Sequence, residues 1–151
     1  MKIAQGVAAG LVAFSMVLAA PASAGSMSSA EKLRRLDIML MVTGLRCRTG
    51  ADNFQADYGR FTTNHLAELN AASDALKAQM GGSGRIADRA LDKLSVTMAN
   101  TYGQGHPWLD CGQLKQVARG LAEARGPEPL IAAADQLLES SGTPQFAWLR
   151  R

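Results

Sequence analysis

Apolar and polar residues alternate along this chain with the period of an α-helix. The longest stripe runs through Phe54, Tyr58, Phe61, His65, Leu69, Ala72, Leu76 and Met80. Steps of three and four put all eight on one face. They predict a helix from Asp52 to Met80, with Asp52 as N-cap and a length of roughly 40 Å. A stripe that long must be covered by shorter helices, so this stretch is expected to organise the rest. Gly59 inside it marks either a kink or a close helix crossing.

Four further helices flank it. Ser28-Ser29-Ala30-Glu31 fits a capping box and opens a helix with Leu33, Leu36, Leu40 and Cys47 on one stripe. Met39, Val42 and Leu45 widen that stripe. The run Leu36–Val42 also fits a buried strand, but the cap and the charged first turn decide for helix, ending near Thr49-Gly50 with Gly50 as a left-handed cap. Gly81-Gly82-Ser83-Gly84 is a turn between antiparallel helices. A third helix follows, with Ile86, Ala90, Leu91, Leu94, Met98 and Tyr102 as its apolar face. Asp110 caps a fourth, carrying Cys111, Leu114, Val117, Ala118 and Leu121. Gly126-Pro127 ends it, and Pro127 suits the first position of a fifth, which uses Leu130, Ile131, Ala134, Leu137 and Leu138 before Ser140-Ser141-Gly142. Nothing reads as a β-hairpin. The expectation is an all-α, small four- to five-helix bundle spanning 25–142, followed by a tail, Thr143–Arg151.

The first residues change the picture of where it works. Lys2, the apolar run Val7–Ala20, Pro21 and the small residues Ala22-Ser23-Ala24 form the three-part pattern of a secretory signal peptide, with cleavage after Ala24. The run is shorter than the roughly 20 residues a membrane span needs. The expected mature chain starts at Gly25, and its compartment is the periplasm or the exterior. There, the two cysteines, Cys47 and Cys111, read as a disulfide. The competing reading makes Cys47 a reactive thiol between Arg46 and Arg48, but no CxxC motif or partner base accompanies it.

The chain has 16 basic and 13 acidic side chains, and loss of Lys2 with the leader lowers the net charge from +3 to +2. So small and evenly mixed a charge argues against nucleic acid as a partner. The motifs of hydrolases, zinc proteases and nucleotide-binding loops are missing, and Gly103-Gln104-Gly105 lacks the third glycine and preceding strand of a dinucleotide site. No catalytic, metal or cofactor set is assigned. Two histidines remain. His65, on the apolar stripe, reads as a core histidine with one nitrogen satisfied. His106 shares a Gly-rich loop with Tyr102, Trp108 and Asp110, which together form the candidate ligand or partner loop. The bland alternative has Pro107 and Trp108 locking that loop while His106 faces water. In the tail, Phe146, Trp148, Leu149, Arg150 and Arg151 offer a weak amphipathic contact for an anionic membrane surface.

The stretches Glu31–Leu40, Leu45–Tyr58 and Tyr102–Leu109 resemble a group of short exported proteins from alphaproteobacteria, notably sphingomonads. The resemblance covers most of the expected mature chain and brings no mechanism with it. Some members of the group carry the label S-adenosylhomocysteine hydrolase. An enzyme of that kind is much larger and holds NAD in a Rossmann domain, and this chain has neither the length nor the motif, so no catalytic residue carries over. The reading that results is an exported, non-enzymatic helical protein that binds another periplasmic or envelope protein. Its alternative is a small-molecule-binding protein or enzyme with its site at the Tyr102–Asp110 loop.

Overall fold

The computed structural model describes residues 27–138. The expected leader (1–24), the helix stop at Ser140–Gly142 and the tail Thr143–Arg151 lie outside the described residues. Among those described, the chain forms six α-helices and no strand: α1 (Ser29–Arg46), α2 (Gln55–Asn64), α3 (Leu66–Gln79), α4 (Arg85–Thr101), α5 (Cys111–Glu123) and α6 (Glu128–Leu138).

α1 lies against each of the other five helices, so it is the organising element in place of the 52–80 stretch. The reason is its buried circumference. Leu33, Leu36, Met39, Leu40 and Thr43 are buried on one side and Ile38 on another. The Thr43 hydroxyl donates to the Met39 carbonyl at 2.7 Å, which lets a polar residue sit in the core with its donor satisfied. Ser28 caps the helix through the Glu31 amide at 3.1 Å. The return arm of the expected capping box is replaced, because the Glu31 carboxylate pairs with Arg35 at 3.2 Å. α1 stops at Arg46 with Cys47 as its cap, and Gly50 is not left-handed. From Cys47 the chain turns back through Gly50 and Asn53, each amide of that pair donating three residues back.

The expected 29-residue helix is broken at His65, which accounts for six helices against the four or five expected. His65 leaves helical geometry at φ −115° and ψ 22°. Two bonds from far along the chain cause this. Asn64 Nδ2 donates to the Ala122 carbonyl at 2.7 Å, and His65 Nε2 donates to Leu121 at 2.8 Å. Together they draw the joint onto the end of α5. Gly59 marks no close crossing: it lies within the continuous α2, and a side chain there would meet nothing within 4 Å. The close crossing is at Gly44, where a Cβ would stand 3.3 Å from the buried Phe54 ring. Asp52 is not the N-cap of α2. Phe54 takes that position, Asn53 Oδ1 accepts from the Gln55 amide at 3.0 Å, and Asp52 stands instead beside Gly112 in the first turn of α5, where a carboxylate suits the helix dipole.

The buried stripe of α4 is Ala87, Leu91 and Met98, continued by Tyr102, with Ala90 and Leu94 half-buried. Ile86, expected on that face, is 81% exposed because it lies about 100° round the helix from Ala87. Of the residues expected to be buried, α5 and α6 bury Leu114, Val117, Ala118 and Leu121, then Leu130, Ala134 and Leu137, while Cys111, Ile131 and Leu138 are half-buried. α5 ends at Glu123, and Pro127 sits just before the first residue of α6. Cys47 and Cys111 are bonded, with Cα atoms 5.7 Å apart across a separation of 64 residues.

Replacing both cysteines by alanine is expected to lower unfolding free energy by up to about 4 kcal/mol, read by urea titration. Gly59→Ala should raise stability by about 0.5–1 kcal/mol, since the site is open and helical. Gly44→Ala should lower it, because the Phe54 ring must shift; equal effects at the two glycines would refute this account of the crossing.

Candidate functional site

The Tyr102–Asp110 loop starts where α4 runs out. Tyr102 caps α4 and is buried, Gly105 turns the chain at φ +107°, and Arg46 fastens the loop by donating to the Gly103 carbonyl at 2.9 Å. The structure brings Tyr102, His106 and Trp108 into one aromatic cluster. The Tyr102 and His106 rings lie 6.2 Å apart and near-parallel, and the His106 and Trp108 rings meet edge to face at 4.6 Å. Burial pushes the Tyr102 phenol above its ordinary value, against the opposing pull of Arg35. Asp110 does separate work: its Oδ1 accepts from the Gln113 amide at 2.8 Å and the Gln113 side chain accepts from its own amide, a complete capping box for α5.

His106 does not face water. The Leu137 carbonyl can only accept, so His106 Nε2 holds the proton and donates to it at 3.0 Å. Nδ1 is then an acceptor, placed 3.4 and 3.3 Å from the amides of Trp108 and Leu109. Both nitrogens are engaged, and the ring itself locks the loop onto the end of α6. Burial pushes its pKa below the ordinary value, with the Leu137 bond opposing. A groove of about 300 Å³ does open beside the loop, between Arg46, Gln104, His106, Asp110 and the disulfide. Of its polar heads, Arg46, His106 and Asp110 are already tied to backbone.

A second concavity lies at the α2–α3 joint, around His65, which the sequence pattern places in the core. It measures about 510 Å³, and Asn64, His65, Glu68, Glu123, Arg125 and Gly126 are among its lining. His65 is 1% exposed, and its ring packs 5.4 Å from that of Phe61. Since Leu121 accepts from Nε2, the neutral ring leaves a lone pair on Nδ1. Nδ1 is buried with no hydrogen-bond partner, and Glu68 Oε1 stands 3.9 Å away, beyond bonding distance. The His65–Glu68 spacing of three was visible in the sequence. The other wall, Ala122 to Gly126, comes more than fifty residues later and gave no signal.

Elsewhere the buried charges are paired. Asp57 is held by Arg60 and by Arg119 at 3.5 Å. Asp37 accepts from the Tyr58 hydroxyl at 2.8 Å, and burial pushes the Asp37 carboxyl above the usual carboxylate range while Tyr58 and Arg34 pull it back. Among the described residues, no three of His, Cys, Asp and Glu stand together so as to hold a metal ion, and no helix is long and apolar enough to cross a membrane. No protein-family model, curated protein or solved structure matches the chain.

The His106 geometry fixes a sign for pH. The unfolded chain takes up a proton near pH 6.5, whereas the folded ring, held neutral, does so only at lower pH. Stability contributed by the neutral ring is therefore present above about pH 6.5 and lost as pH falls from there toward the folded value. His106→Gln should flatten that part of the pH profile and cost about 1–3 kcal/mol at neutral pH, both read by urea unfolding. An unchanged slope would show that His106 is not the group responsible.

Proposed function

We propose that the chain is an exported, non-enzymatic helical protein that works by binding a protein of the periplasm or envelope. The observation that carries this reading is the Cys47–Cys111 bond, half of it buried in the core at the end of the central helix. A bond of that kind persists in oxidising compartments and is rare in the cytosol. The leader pattern at 1–24 and the resemblance to short exported proteins point the same way.

The binding part of the reading has two supports. His106 and Asp110, the titratable pair of the Tyr102–Asp110 loop, spend their side-chain polar atoms on loop anchoring and helix capping, which suits a scaffold more than an acid–base site. Large apolar side chains also stay in water, among them Leu66, Ile86 and Val96, and Met41 and Leu45 one turn apart on α1. An adjacent pair is worth testing where scattered single residues would not be. The groove beside His106 favours a second reading, a small ligand held at that loop, but both nitrogens of His106 would have to leave their present partners to serve it.

Expression from its own leader, followed by fractionation and intact-mass measurement, should return a chain beginning at Gly25 in the periplasm with both sulfurs oxidised. Recovery in the cytosol with free thiols would overturn export. A pull-down from periplasmic extract should retain a protein that a Met41→Lys, Leu45→Lys variant of unchanged fold does not. Retention of nothing, or equal retention by both, counts against binding through this pair.

A further inference from the structure

The geometry points to the cleft at the α2–α3 joint as a binding site for a small organic ammonium ion, held between His65 Nδ1 and the Glu68 carboxylate. This goes beyond the proposed function and does not depend on it: a protein partner can exist with or without such a ligand.

The argument starts from the fixed proton on His65. Nε2 donates to the Leu121 carbonyl at 2.8 Å, so the neutral ring presents only a lone pair at Nδ1. That atom is buried and nothing donates to it. Buried acceptors in folded proteins are nearly always satisfied, so an orphan in the wall of a cleft asks for a partner. Glu68 cannot be that partner while ionised, because its carboxylate oxygens are acceptors too. Two acceptors 3.9 Å apart are complementary to one group with at least two N–H donors placed between them.

The charge around them selects the class. Glu68 and Glu123 are both among the lining residues, with Arg125 as the cation against them. The last carbonyls of α5 add the negative end of its dipole, and no basic residue in its last turn offsets it. An anion would meet two carboxylates and a helix C-terminus. A divalent ion would need three ligands, which the geometry does not gather. A protonated amine needs only what is present: an imidazole lone pair, a carboxylate and room. The cleft, at about 510 Å³, is of the size that holds small molecules. Glu68 stands beside Nδ1 with its side chain 24% exposed and lines the cleft, so its carboxylate connects the buried nitrogen with the open space.

Putrescine, with glutarate as a dianion of similar length, tests this on the full disulfide-bonded chain labelled with ¹⁵N-histidine at mildly alkaline pH. Putrescine should shift the His65 Nδ1 resonance saturably, leave His106 unmoved, and bind about tenfold more weakly to Glu68→Gln. Glutarate should do nothing. Four results would overturn the site: no shift at millimolar putrescine, equal shifts at both histidines, binding of glutarate in its place, or a free His65 already protonated on both nitrogens. The last would show that Nδ1 donates to Glu68 and has no vacancy. Because Glu68 is partly exposed and makes no hydrogen bond to His65, the near-isosteric Glu68→Gln variant should keep its fold, checked by an unchanged urea midpoint.

Discussion

A helix that is apolar on more than one side cannot lie on the surface of a bundle; it must be surrounded. α1 is such a helix. With Leu36, Met39 and Leu40 wholly buried and Ile38 nearly so on a different side, it requires neighbours around most of its girth. The other five helices meet that requirement, each burying one stripe against it or against one another. A single polar residue interrupts the stripe, and Thr43 satisfies itself within its own helix. Burial at α1 therefore sets the arrangement.

Most of the secondary structure was legible because it depends on neighbours in sequence. Steps of three and four identified the buried positions of α5 and α6, and Asp110 was readable as a cap because its partner, Gln113, is three residues away. The errors at the 52–80 stretch are places where a distant residue wins. Asp52 is a good N-cap in isolation, yet its carboxylate stands by the first turn of α5. Phe54 to Met80 is an unbroken stripe, yet bonds across 56 and 58 residues break the helix at His65. The choice of central helix failed for a related reason. Stripe length measures how far a helix extends, whereas centrality depends on how much of its circumference is apolar, and Leu36 to Leu40 carried that signal.

The two histidines show the same limit at the level of sites. Each Nε2 donates to a carbonyl at the end of a helix, Leu121 for His65 and Leu137 for His106. Nothing in their local sequence separates a fully engaged ring from one with a spare lone pair. His106 looked the more suggestive because it sits in a loop with glycines and aromatics. That loop tucks its own amides under Nδ1, and this closes the ring off. His65 looked like plain core because it continues an apolar stripe. A helical neighbour cannot turn its amide toward the ring, so the second nitrogen stays open.

The vacancy at His65 is not one that a small shift of the ring could close. α5 is held along its length by residues preceding α3: Cys47 bonds Cys111 at its start, Asp57 meets Arg119 at 3.5 Å further along, and His65 and Asn64 take the carbonyls of its last turn. The walls of the cleft are thereby pinned to one another within a turn of Nδ1. Turning the imidazole toward Glu68 would shorten the 3.9 Å gap only by stretching the 2.8 Å bond to Leu121, and two carboxylate lone pairs would still face a third on the ring. The fold thus commits one face of His65 to holding α5 in place, and on the neutral ring this leaves Nδ1 as an acceptor, the premise on which the proposed ammonium site rests.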